Sequence, residues 1–158
     1  MIEYDRDGIV VRVARESDIA SLKNRLREAD EKEIIAAGHA DGEEVLSSSY
    51  ARSTMRYTVD LRGTPVAMFG IVPDSIVGRR ANVWFLGAPE MSRIKKTFVR
   101  LSRRFISHFL ELYPELWNLV DCRYTQTFSW LKSCGAEFGD KQFMFNGVPF
   151  QPFLIRRA

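Results

Sequence analysis

Cysteine and histidine are too scarce in this chain to build a metal site. Cys122 and Cys134 fit no zinc spacing, and two ligands without nearby histidines cannot close a tetrahedral site. Both read as buried or half-buried thiols. His39 follows a helix-stopping glycine and His108 sits beside Phe109, each with no partner in sequence, so both read as structural or exposed. No metal is expected. Apolar runs fall well short of the roughly 20 residues that span a bilayer, so no membrane span is expected either. Residues 1–8 lack the basic-then-apolar layout of a signal peptide. The expected compartment is the cytoplasm, or the interior of a particle assembled there. No internal repeat, low-complexity tract or interdomain linker interrupts the chain.

What is plentiful is core-forming material. Eleven Phe and three Trp in 158 residues exclude a disordered chain, and this length suits one domain, residues 1–158, burying about two thirds of its unfolded surface. A net charge of +3 does not by itself imply nucleic acid. Its distribution matters more. Arg93, Lys95, Lys96, Arg100, Arg103 and Arg104 crowd one segment with no acid between Glu90 and Glu111. Clustered cations can bind phosphate, yet such a stripe is more often a solvated face, and nucleic acid is not the expected partner.

The pattern alternates strands and helices. Residues 9–13 read as a strand, followed by a helix capped by Ser17 or Asp18 and running through Leu22 and Leu26. Further helices are expected over 29–37, stopped by Gly38, and over 41–51. Strands at 57–61 and 65–72 flank Arg62-Gly63-Thr64, a hairpin signal, and a third strand covers 82–86. From 91 to 112, Ile94, Phe98, Leu101, Phe105, Phe109 and Leu112 recur at helical spacing, until Tyr113-Pro114 ends the run. A strand at 116–122, a helix at 124–133 with Phe128 and Leu131 inward, and a hairpin of 137–145 with 148–155 through Asn146-Gly147 complete the order. Pro149-Phe150-Gln151-Pro152-Phe153 reads either as an edge strand docking on a partner subunit or as packing on its own domain.

The expected fold is therefore mixed α/β: three layers, with a mostly antiparallel sheet of six to seven strands and helices on both faces. The join at 86–90 carries the functional question. A strand feeding a helix leaves unpaired backbone N–H groups with positive partial charge, a ready anion site. Here the corner has one glycine, Gly87, then Ala88, Pro89 and Glu90.

This order of elements, with Trp117-Asn118-Leu119-Val120-Asp121 followed by residues 124–138, resembles the GNAT acyltransferase superfamily. Arg27 to Ile34, Pro65 to Gly70, Trp84 to Gly87, Leu101 to Arg104 and Trp130 to Ala136 look closer still to GNAT-like internal virion proteins of short-tailed phages. The resemblance implies an acyl-CoA corner between Leu86 and Arg93. The Trp84-Phe85-Leu86 backbone would pair with a pantetheine arm, Gly87 and Ala88 would form the corner, and Arg93, Lys95 and Lys96 would meet the CoA phosphates. Equally, these are an ordinary core strand and solvated charges. Acetyl-CoA or another acyl-CoA is the implied cofactor.

Departures from catalytic members are specific. The usual glycine pair is missing, Pro89 removes a donor, and ionised Glu90 is expected to repel phosphate by roughly 1 kcal/mol or more. The tyrosine that protonates the departing thiolate, four residues before Gly135, is Leu131. Arg27, Asp30 and Glu33 are spaced by threes on one helical face, where Glu33 suits a general base for an amine acceptor; a cap with surface ion pairs is the alternative. Cys122 beside the fifth strand reads as inert packing. These features favour a phage or prophage virion or assembly protein, with a virion protein or a second copy as partner and catalysis reduced or absent. An N-acyltransferase is the alternative.

Overall fold

The computed structural model describes residues 2–158. Nine strands form one sheet: β1 (Ile2–Arg6), β2 (Ile9–Val13), β3 (Met55–Leu61), β4 (Thr64–Pro73), β5 (Arg80–Gly87), β6 (Glu115–Asp121), β7 (Glu137–Phe138), β8 (Phe143–Phe145) and β9 (Val148–Arg156). Their order is β1-β2-β3-β4-β5-β6-β9-β7, with β8 also on β9. Every pairing is antiparallel except that of β5 with β6. The mixed, mostly antiparallel sheet expected from the sequence is present, with more strands than expected. β1 is the addition, and the last hairpin is split into three pieces.

Side chains alternate between the two faces along each strand, and the cross-strand row Tyr57, Phe69, Phe85 marks one of them. On that face lies α4 (Lys95–Leu112), whose Phe105 ring sits 5.0 Å from Tyr57 and 5.1 Å from Phe69. Leu101, Phe105 and Phe109 are buried as the periodicity requires, whereas Leu112 is exposed beyond the sheet. Phe98 of α4 and Trp130 of α5 (Thr125–Ser133) close around Phe85, at ring separations of 4.9 and 5.8 Å. The opposite face carries α1 (Ser17–Leu22) and α3 (Gly42–Arg52): Thr58 donates to Asp18, and Trp84 Nε1 donates to Ser53 Oγ just after α3. α2 (Glu28–Ala36) docks by its N-terminus on Gly87. No helix among the described residues is long and apolar enough to cross a membrane.

Several expectations are corrected. The α1 helix stops at Leu22, and Leu26 is buried beyond it. Neither Ser17 nor Asp18 caps it; Asp18 turns inward to Arg12 and Thr58 instead. Residues Pro89–Ile94 form a 3₁₀ turn before α4 begins at Lys95, because Pro89 starts a tight turn and Ile94 lies outside α-helical geometry.

The proline-flanked tail is no edge. β9 lies between β6 on one side and β7 and β8 on the other, with Phe150 and Phe153 buried. Pro152 accepts from Gly139 N at the interval between β7 and β8, where the outer ladder is already broken. Its missing donor therefore falls where no strand partner needs it. Asn146 and Gly147, at φ 50° and 78°, make the tight hairpin turn that Asn-Gly favours.

Candidate functional site

The two parallel strands pair only at Arg80↔Glu115, Ala81↔Leu116 and Asn82↔Trp117; beyond these they diverge. A cleft of about 570 Å³ adjoins the gap. Its lining includes Phe85, Lys95, Asn118, Arg123, Tyr124 and Trp130, with Arg27, Asp30 and Glu33 contributed by α2 and the residue before it.

Strand alternation decides which backbone groups face the gap. Val83 O accepts from Asn118 Nδ2 across the gap at 2.7 Å, so odd-numbered residues of β5 turn their peptide groups that way. Gly87 is on the same edge, but α2 occupies it: its N–H donates to Asp30 Oδ2 at 3.0 Å, and its carbonyl accepts from Arg27 N at 2.8 Å. Phe85, between them, faces the gap with N–H and C=O unpartnered among the described residues. Trp84 and Leu86 are turned toward β4, and Ala88 N donates to Val66 O. Of Trp84, Phe85 and Leu86, expected to meet a pantetheine arm with their backbone, Phe85 alone turns its peptide groups toward the gap.

The opposing strand has its own partners. Leu119 N donates to Asn118 Oδ1 at 2.7 Å, and the Asp121 backbone amide supports Glu33. Glu33 is half-buried on the cleft wall, and burial first, then the charges of Asp30 and Asp121, push its carboxyl up to about 7. The Asp121 amide and Arg27 pull it partly back. A carboxyl poised there can exchange a proton near neutral pH. Those two acidic neighbours are each ion-paired: Arg27 clamps Asp30 at 2.8 and 2.9 Å, and Arg123 clamps fully buried Asp121 at 2.7–3.1 Å. The Arg27, Asp30, Glu33 set thus does share one wall. Arg27 itself precedes the helix, and it combines an internal ion pair with a carboxyl left over.

The three cations expected at the CoA phosphates are dispersed. Lys95 lines the cleft with Ser92, whereas Arg93 lines a separate depression of about 700 Å³ with Arg25, Arg62 and Glu90. Lys96 is exposed and lines neither. Glu90 is corrected as well: Arg25 holds its carboxylate at 3.0 Å in the second depression, so it does not face the cleft to repel an anion there. The missing donor at Pro89 remains a real departure, and α4 follows directly from the 3₁₀ turn rather than from a free strand end.

Cys122 lies off the cleft, and burial followed by the Asp121 charge pushes its thiol upward; burial does the same to Cys134, so neither is an activated nucleophile. Leu131 is buried against the cleft and can donate no proton. Tyr124, immediately before α5, is the tyrosine that lines it. Sequence reasoning missed Arg123 and the strand-bridging role of Asn118. Arg123 lies two residues after Asp121, a spacing that signals an ion pair only once the strand is known to end between them.

No protein-family model and no curated protein sequence matches the chain. Solved structures do. A spermidine N-acetyltransferase from Vibrio cholerae in complex with CoA and spermine aligns with a TM-score of 0.68 at 15% identity, covering 96% of each chain. A GNAT-family acetyltransferase from Bacillus anthracis aligns at 0.70 and 9% identity, over 99% of this chain and 98% of the other. A further structure described as a probable acetyltransferase aligns at 0.71 and 11% identity, over 99% and 97%. All three are described as acetyltransferases. At such identities the likeness establishes architecture, and the chain has the fold of the GNAT acetyltransferases.

Proposed function

We propose that the protein is an acyl-CoA-dependent N-acyltransferase, in preference to the virion role expected from the sequence. The observation that carries this reading is Glu33, a carboxyl held at about 7 on the wall of a cleft whose other side offers the unpaired Phe85 backbone. Bound acyl-CoA supplies an activated thioester carbonyl. Phe85 N–H and C=O pair with the pantetheine amides, while Ser92 and Lys95 meet the diphosphate. Glu33 takes the proton from the attacking amine as nitrogen bonds to the carbonyl carbon. As the carbon–sulfur bond breaks, the Tyr124 hydroxyl delivers a proton to the sulfur, the role Leu131 cannot fill. The named neighbours are acetyltransferases, and one is a complex with CoA; both facts support this reading over structural service in a particle.

The test has two parts. Acetyl-CoA titrated into the protein should raise its thermal stability by mass action, about 2.7 kcal/mol at one hundred times Kd. Glu33→Gln should keep that binding and lower kcat for thiol release on the order of 10²–10⁴-fold. No stabilisation at millimolar acetyl-CoA sinks the reading.

A further inference from the structure

Resting on the acyltransferase reading, we infer that the acceptor is a small primary amine that also carries an anionic group, a carboxylate or phosphate, and is not a polyamine. The argument comes from the charges an incoming acceptor meets. Two carboxylates line the cleft, Asp30 and Glu33, against three cations, Arg27, Lys95 and Arg123. Asp30 is buried and already held by both Nε and Nη2 of Arg27 and by the Gly87 amide. It has little left to offer a ligand.

The cations are placed differently. Arg27 and Arg123 are each 40% exposed, and in both the Nη1 group has no hydrogen-bond partner among the described residues. Each guanidinium is fixed by its bidentate aspartate, so its free edge is pre-oriented, and fixed donors of this kind suit planar or tetrahedral oxyanions. Both also lie close enough to Glu33 to interact with its charge. An amine delivered to Glu33 therefore arrives within reach of the charge of two guanidiniums.

A polyamine would bring further positive charges to that mouth, where only Glu33 could receive them. Moreover, Glu33 gives up its negative charge when it takes the amine proton. An amine with its own carboxylate or phosphate instead places the anion on Arg27 or Arg123 while its nitrogen reaches Glu33. The spermine in the Vibrio complex belongs to that protein; the charges here specify something else.

Thiol release from acetyl-CoA would be measured with four acceptors: glycine, O-phosphoethanolamine, ethanolamine and spermidine. The expected result is a kcat/KM for at least one anionic amine that exceeds those of ethanolamine and spermidine tenfold or more. Arg123→Gln should shrink that anionic-to-neutral ratio about tenfold, chiefly through KM, and Arg123→Lys should restore most of it. Circular dichroism would establish that both variants are folded, and Arg27→Gln provides a second reading of the ratio should Arg123→Gln fail to fold. Spermidine or ethanolamine turned over as well as the anionic amines, or a ratio unmoved by the variants, overturns the acceptor assignment alone. Absence of turnover with every amine, despite acetyl-CoA binding, overturns the acyltransferase reading and this assignment with it.

Discussion

Asn118 ties the diverging strands together at the point where they part: its Nδ2 donates to Val83 O at 2.7 Å, and its Oδ1 accepts from Leu119 N at the same distance. One amide side chain thereby satisfies one backbone group on each side of the gap. Asn118→Leu would leave both without that partner, at a cost of about 1–3 kcal/mol for each group kept from water. The expected outcome is a lower midpoint in urea with little change in slope.

Arg12 performs a similar service inside the sheet, where its guanidinium donates to both Asp18 and Asp60 at 2.8–3.1 Å. Arg12→Leu should cost about 3–5 kcal/mol at neutral pH, since it strips the counterion from two enclosed carboxylates. Denaturation from pH 7 to pH 4 would show the deficit shrinking as protonation neutralises them.

In the intact protein, Asp18 dictates the opposite trend. Burial alone would raise its carboxyl; hydrogen bonds from Arg12, the Arg15 amide and Thr58 hold it below its ordinary value of 3.8. The unfolded chain thus takes up a proton before the folded one does. Stability from this group is present above about pH 4 and is lost as pH falls through the lowered folded value. An acid titration of Asp18→Asn should lack this component.

Glu33 reverses the sign. Unfolded, it titrates near 4.5; folded, at about 7. Below 4.5 both states are protonated. Between 4.5 and 7 the folded state keeps a proton that the unfolded state has released, so stability declines as pH rises and levels off beyond 7. Glu33→Gln should therefore raise Tm at pH 8 and leave it nearly unchanged at pH 4. On the acyltransferase reading, the rate of thiol release by the unmodified protein should rise with pH through about 7, as the base form accumulates.

Gly70 offers a purely steric check. A Cβ there would lie 2.3 Å from Met55 O and 3.1 Å from Arg56 Cα, both backbone, with Trp84 Nε1 at 3.2 Å. No flexible side chain can yield at the closest contact. Gly70→Ala should destabilise the β3–β4 pairing by about 1–3 kcal/mol, read from the shift in thermal midpoint.

Local pattern carried most of the fold. The apolar spacing of Leu101, Phe105 and Phe109 and the Asn146-Gly147 turn are signals contained within a few residues, and both appear as expected. β1 was illegible because Ile2-Glu3-Tyr4-Asp5-Arg6 is polar at most positions and owes its extended form to pairing with β2. Met91 and Ile94 continue the helical spacing into what is a 3₁₀ turn, and sequence periodicity does not separate the two there. At the site, Arg27, Asp30 and Glu33 could be grouped from spacing alone. Their meeting with Gly87, Asp121 and Arg123 depends on contacts spanning 57 positions or more, which no local pattern encodes. The charge of Glu90 was legible, its direction was not: Arg25, 65 residues away, turns it to the other depression.

The hold of α2 on Gly87 acts as a latch on the strand edge. While Asp30 and Arg27 grip that peptide, Phe85 keeps the open backbone on this edge of β5. Release of the helix N-terminus would free one more inward-facing peptide on that edge. Hydrogen exchange at the Gly87 amide therefore reports how often that strand edge opens.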